Sequence, residues 1–281
     1  MKLVSTIREM RAFSRSERAG EKVLALVPTM GALHEGHLSL VRAAREKSDS
    51  AAVSIFVNPT QFGPNEDFSR YPRNLERDCA LLDREGVDVV FAPSTEEMYP
   101  AGATTWVTVE GLSERLCGRS RPGHFRGVTT VVSKLFHIVE PDSAFFGQKD
   151  AAQVAIIRRM VRDLNMAISI EVCPIVREPD GLALSSRNAY LSPEERTSAL
   201  VLNRSLRASE KLFRSGERES ARLITAGTLE FAKESSARLD YFEIVDPESL
   251  EPMAHISKSA LIAVAAFVGK TRLIDNLVVT P

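Results

Sequence analysis

Short apolar runs alternate with segments rich in helix formers through the first half of the chain. Val23-Leu24-Ala25-Leu26-Val27 reads as a buried parallel strand, and Leu40 to Lys47 behind it is built from good helix formers. Ala51 to Val57 is a second apolar run, ending in a loop from Asn58 to Asn65 crowded with turn residues. Asn74 to Glu85 is a helix stopped by Gly86, followed by a third strand at Val87 to Phe91. Gly123-His-Phe-Arg-Gly127 leads into a helix near Val128 to Val139; Ser143 to Phe146 is a further strand and Gly147 to Asp150 a turn. Ala151 to Leu164 then carries Val154, Ile157 and Val161 at helical spacing. Such alternation predicts an α/β fold, a Rossmann-like doubly wound parallel sheet covered by helices on both faces. Near Ile175 the pattern changes. Ser192-Pro193-Glu194-Glu195 has the cap serine, first-turn proline and third-position glutamate of a helix start. Helices fill much of Glu194 to Glu234, and Leu239 to Val245, Leu261 to Phe267 and Leu273 to Val279 read as strands, the last two joined by a turn at Gly269-Lys270. The chain thus divides into a Rossmann-like domain over 1–175 and a smaller α+β lid domain over 176–281.

Composition narrows this picture only a little. At 281 residues, 44% hydrophobic and 26% charged, the sequence is that of a soluble globular protein. A net charge of −1 gives no general attraction to nucleic acid or to an anionic membrane. Cys79, Cys117 and Cys173 are an odd number, far apart, which fits a reducing compartment. Charged residues interrupt Met1 to Arg11, and Ser259 to Gly269 is too short to span a bilayer. A cytoplasmic location is expected.

Candidate chemistry centres on Pro28 to Ser39, where Gly31 and Gly36 lie in a turn between a strand and a helix. Free amides and the helix dipole at such a place suit a phosphate. His34 and His37 stand there three apart with a glycine between them, whereas a helical zinc site wants its histidines four apart. They are therefore read either as incidental surface residues or as imidazole donors over phosphate oxygens, with no metal bound. Gly147 to Asp150 is either an ordinary polar turn or a ligand site, with Lys149 a flexible point charge suited to a phosphate and Asp150 a helix cap or a ribose ligand. Ser185-Ser186-Arg187 is either an ordinary loop or a polyphosphate grip. Gln61 and Gln153, each alone, are ordinary polar residues.

Together these pieces resemble a known family. Pro28-Thr-Met-Gly-Ala-Leu-His-Glu-Gly-His37 carries the H-x-G-H element of the nucleotidyltransferase superfamily that includes class I aminoacyl-tRNA synthetases, and Leu184 to Arg187 stands in the place of its K-M-S-K-S-like element. Phe56-Val-Asn-Pro-Thr-Gln-Phe62, Tyr71-Pro-Arg73, Arg121 to Val128, Phe145 to Asp150 and Arg177 to Asn188 resemble, in order, the motifs of the pantothenate synthetase family. The resemblance runs over the whole chain. It implies a ligase that condenses pantoate with β-alanine through a pantoyl adenylate, consuming ATP and releasing AMP and pyrophosphate. It further implies that Met30, Gly31, Ala32, Leu33, His34, Glu35, Gly36 and His37 contact ATP. His34 and His37 would stabilise charge at the α-phosphate, with His37 the proton donor. Gly147, Gln148, Lys149 and Asp150 would contact ATP, Lys149 on phosphate. Val176 would border the adenine, and Leu184, Ser185, Ser186 and Arg187 would close over the nucleotide. Gln61 would hold pantoate and then β-alanine, and Gln153 pantoate. Mg²⁺ is expected to travel with the ATP phosphates, and a homodimer is implied by analogy. Leu184, where methionine is frequent, and Gln148, where glutamate is frequent, depart from the family pattern. A nucleotidyltransferase that stops after the first transfer, or a nucleotide- or RNA-binding module on the same fold, are the competing readings. The Asn58 to Phe62 loop and Gln153 argue against the first, and the absence of a basic stripe against the RNA version.

Overall fold

The computed structural model describes residues 1–64 and 66–281; Asn65, the end of the expected turn-rich loop, lies outside the described residues. The first half folds as β1 (Lys2–Val4), α1 (Ile7–Ala19), β2 (Leu24–Thr29), α2 (Glu35–Lys47), β3 (Ser50–Ile55), α3 (Leu75–Arg84), β4 (Val89–Phe91), α4 (Thr95–Met98), α5 (Cys117–Ser120), α6 (His124–Val139), β5 (Ser143–Gly147), α7 (Ala151–Asp163) and β6 (Ser169–Cys173). The six strands form one parallel sheet in the order β1-β4-β3-β2-β5-β6. Both faces are covered, as the continuous apolar runs require. Leu24 and Leu26 pack with α6 residues such as Val132 and Leu135. Ala25 and Val27, pointing the other way, pack with Leu40, Val41 and Ala44 of α2.

Three features depart from the expected pattern. β1 and α1 precede the first expected strand, and β6 follows α7. In addition, α6 starts at His124 rather than near Val128. Its first turn lies directly on the loop after β3: a side-chain carbon on Gly127 would sit 2.3 Å from the Thr60 carbonyl oxygen, so only glycine fits.

Beyond a hairpin at residues 177–183 come α8 (Pro193–Arg214), α9 (Ser220–Phe231), β7 (Ala237–Val245), β8 (Ala260–Val268) and β9 (Thr271–Val279), the strands forming an antiparallel sheet in that order. Ser192 and Glu195 make the expected capping box. One face of this smaller sheet buries Phe242, Ile262 and Val264 against α8 and α9 residues such as Leu202 and Leu223. Its other face, with Tyr241, Leu261, Ala263 and Ala265, joins the same core as α6 and α7. The C-terminal domain is thus docked on the larger one through apolar side chains.

Candidate active site

The strand order reverses between β2 and β5, so the loops leaving their C-terminal ends diverge and open a crevice, the usual ligand position in an open parallel sheet. The cleft there encloses about 1390 Å³ between atoms, part of it open to solvent. β2 delivers Met30, His34, Gly36 and His37 to its wall. β3 delivers Asn58 and Gln61; β5 and α7 deliver Gly147, Lys149, Asp150 and Gln153; and the stretch after β6 delivers Val176. Leu184, Ser185, Ser186 and Arg187 cover it from the C-terminal side.

Not every residue of the glycine turn faces this space. Leu33 is buried at 1% exposure among Val27, Val41 and Phe145. Glu35 points outward and pairs with Arg42. Gly31 and Ala32 lie in the turn backbone, and Gln148 faces away toward β9. The expectation that free amides of this turn meet the phosphate needs correction, because most of them are already occupied. The Gly31 N–H donates to Thr29 Oγ1 at 3.2 Å. Those of Ala32 and Leu33 donate to the Asp78 carboxylate at 2.8 and 2.9 Å. Those of His34 and Gly36 donate to ring nitrogens, and that of His37 to the His34 carbonyl.

What this leaves for a ligand is the imidazoles. His34 Nδ1 accepts from the Gly36 N–H at 3.2 Å, and His37 Nδ1 from the His34 N–H at 3.4 Å. A ring whose Nδ1 accepts carries its proton on Nε2, and both rings line the cleft. The rings lie 4.1 Å apart between centroids, tilted by 40°. A Cβ on Gly36 would meet the His34 ring at 2.9 Å, which explains the glycine between the two histidines. Burial, with the positive charge of Lys149 added, brings the His34 pKa down to about 4. Burial, with His34 and Lys149 added, brings that of His37 down to about 3. In the ligand-free protein both rings are neutral Nε2–H hydrogen-bond donors.

Gln61 is held in one orientation. Asn58, 1% exposed, donates from Nδ2 to Gln61 Oε1 at 3.0 Å, and Gln61 Nε2 donates to Met30 Sδ at 3.0 Å, which leaves the Gln61 amide one N–H for a ligand. His124 Nδ1 lies 2.7 Å from the Gln61 carbonyl, and its Nε2 3.0 Å from Arg121, which in turn forks onto Glu66 at 2.6 Å. Burial, reinforced by Arg121, lowers the His124 pKa to about 4, so this ring too is neutral, donating from Nδ1 and accepting at Nε2. Arg187 pairs with Asp67 through two nitrogens at 3.1 and 3.0 Å, and Tyr71 Oη lies 3.3 Å from Ser186 Oγ. Asp78, Glu66 and Asp67 are the residues that sequence reasoning did not single out. Each acts on a partner far along the chain, and no short motif marks such a role.

A parallel sheet with a cleft at its switch point, an H-x-G-H turn offering two ring N–H donors, and a facing lysine and arginine define an α/β nucleotide-dependent transferase or ligase. The chain matches the family model for pantoate-β-alanine ligase over residues 2–278. It is 63% identical over 278 residues to the pantothenate synthetase of Koribacter versatilis, covering 99% of this chain and 96% of the relative. It is 58% identical to that of Thermotoga neapolitana over 278 residues, covering 99% of both chains. The crystal structure of the Thermus thermophilus pantothenate synthetase superposes with a TM-score of 0.96 at 50% identity, over 100% of both chains. That of the Francisella tularensis pantoate-β-alanine ligase, complexed with β-γ ATP and β-alanine, gives 0.81 at 34% identity, over 99% of this chain and 97% of the other. The chain belongs to the pantoate-β-alanine ligase family.

Proposed function

We infer that this cleft joins pantoate to β-alanine at the expense of ATP, as its family does, in two steps. A pantoate carboxylate oxygen bonds to the α-phosphorus, and the bond from that phosphorus to the bridging oxygen breaks, its electron pair leaving with pyrophosphate. The β-alanine amine then bonds to the carbonyl carbon of pantoyl adenylate; the carbon–oxygen bond to phosphate breaks, AMP leaves, and the amine loses a proton. No covalent protein intermediate is required, so the protein's contribution is positioning and charge stabilisation.

The roles follow from donor chemistry. Gln61, its amide oriented by Asn58 and Met30, offers its remaining N–H to a pantoate oxygen and later to β-alanine, and Gln153 faces the same space from α7. His34 and His37 offer Nε2–H to the α-phosphate oxygens, where negative charge builds in the first step. Lys149 and Arg187 meet the β- and γ-phosphates, and Val176 borders the base. Mg²⁺ would come with the triphosphate and neutralise part of its charge; the Asp150 carboxylate on the cleft wall is a hard oxygen of the kind Mg²⁺ takes, directly or through water. The boundary between the two domains is placed at 175/176, and the enzyme is taken to act in the cytoplasm as a homodimer. Among the described residues no helix is long and apolar enough to cross a membrane.

One observation carries the site assignment: the oriented Gln61 amide shares a cleft with the paired imidazoles and Lys149. The test is AMP release from ATP and pantoate with and without β-alanine. Release that depends on both acids is expected; release indifferent to β-alanine overturns the ligase reading.

A further inference from the structure

Two neighbouring residues near the C-terminus, Asp275 and Asn276 on β9, are each 3% exposed and each fully engaged. Asn276 Nδ2 donates to the carbonyl oxygens of Gln148 and Lys149 at 3.0 and 2.9 Å. Its Oδ1 accepts from Gln148 Nε2 at 3.0 Å. With donors and acceptor all used, the amide has one orientation, and the 3₁₀ turn Gln148–Asp150 is tied to β9 through its main chain. Asp275 accepts a fork from Arg177 at 2.6 and 2.8 Å. Arg177 in turn donates to the Gly181 carbonyl at 3.0 Å and faces Ala183 across the hairpin. Leu184 N–H donates to the Val176 carbonyl at 3.0 Å, and the segment that covers the cleft leaves from there. Adjacent strand positions face opposite ways, so one dipeptide reaches both halves of the nucleotide grip.

We propose that Asn276 is a positioning residue for the adenylation step: by holding the carbonyls of Gln148 and Lys149 it fixes where the Lys149 ammonium meets the phosphates. Asp275 performs the matching task for the hairpin carrying Ser185 to Arg187. This rests on Lys149 acting on the phosphates. Lysine is a point charge on a flexible stem, so its placement depends on where its Cα is held. The same clamp accounts for Gln148: here its side chain serves as the donor that completes the Asn276 amide, and no carboxylate is used at that position.

The chemistry supplies a selective readout. Lys149 matters while pyrophosphate departs; when β-alanine attacks, pyrophosphate is gone. In Asn276→Ala, and in the equal-volume Asn276→Asp that lacks the N–H donors, pantoate-dependent exchange of labelled pyrophosphate into ATP is expected to fall roughly 10- to 100-fold, the cost of a misplacement near 1 Å. Conversion of supplied pantoyl adenylate by β-alanine should change little. Gln148→Met, at a partly exposed position, leaves the Asn276 oxygen unpartnered and should give a smaller loss in the same step; it serves if the Asn276 variants do not fold. Adding Lys149→Ala to Asn276→Ala should cost less than the sum of the two. Equal losses in both half-reactions, or full exchange activity in folded Asn276 and Gln148 variants, overturns the positioning role while leaving that of Lys149 intact. Unimpaired exchange in Lys149→Ala overturns both.

Discussion

At the scale of single residues, desolvation keeps the imidazoles of the cleft neutral in the ligand-free protein. His37 has a partly buried ring whose Nδ1 is already an acceptor, so when neutral it acts on a phosphate by donating from Nε2. Removing that donor resembles removing one member of an oxyanion site, so His37→Ala is expected to lower kcat roughly 10²- to 10³-fold with the fold intact. Wild-type turnover in a folded variant would refute the role. Burial of these rings also has a cost that depends on pH. Unfolded histidine titrates near 6.5, while His34, His37 and His124 stay neutral down to about 4, 3 and 4 in the folded protein. Between pH 6.5 and 4 the unfolded chain binds more protons than the native one, so stability rises with pH across that window and falls on acidification. Unfolding at pH 5.5 should take up roughly three protons at these sites, seen as a buffer-dependent calorimetric enthalpy and a Tm lower than at pH 7.5. Substituting glutamine at His124 should remove close to one of them. An uptake near zero would mean the rings are charged in the native state.

At the scale of elements, the turn between β2 and α2 is held by a group outside it. Ala32 sits at φ +51°, where a side chain is strained, and the chain tolerates this because Asp78, 1% exposed on α3, accepts the N–H groups of Ala32 and Leu33. Asp78→Asn keeps an acceptor for only one of them without a clash, and Asp78→Ala keeps none. The alanine variant should lose about 3–5 kcal/mol by denaturant titration, the scale of two charge-assisted bonds, and the asparagine variant less. An alanine variant as stable as the parent would show that the turn holds its own shape. This dependence marks the limit of what the chain discloses locally. β2, β3 and β5 were legible because strands buried on both faces are apolar throughout. β6 was not, because Ser169-Ile-Glu-Val-Cys173 is a half-exposed edge carrying polar side chains. The three residues of β1 are too few to show a period, and α1 is mostly charged outside Met10. The H-x-G-H turn was legible as a contiguous motif. Asp78, 46 positions from Ala32, and Asn276, 127 from Lys149, were not, because only the folded chain makes them neighbours.

At the scale of the whole molecule, if the cleft closes over a nucleotide, loops are the parts with least core to disrupt. Swinging the C-terminal domain away would expose Tyr241, Leu261 and Ala263, which share a core with α6 and α7, and that argues for a domain that stays docked. The mouth of the cleft is instead spanned by side chains: Arg187 to Asp67 and Ser186 to Tyr71. Burial pushes the Asp67 carboxyl up, but the hydrogen bonds and charge of Arg187 outweigh it and hold the group below its usual range, so Asp67 is ionised at neutral pH. If Arg187 grips the triphosphate, ATP must take it from Asp67, and the carboxylate competes with the substrate for one guanidinium. Asp67→Asn keeps the size of the side chain and removes the competitor. The KM for ATP should then fall roughly three- to tenfold, the worth of a partly exposed charge-assisted pair. Arg187→Ala should raise it, and the Asp67→Asn change should have no further effect in that background. The two halves of that cycle discriminate. An unchanged or higher KM in Asp67→Asn would make the pair a structural strut that ATP does not displace. A decrease that persists without Arg187 would place the competition at another cation of the cleft.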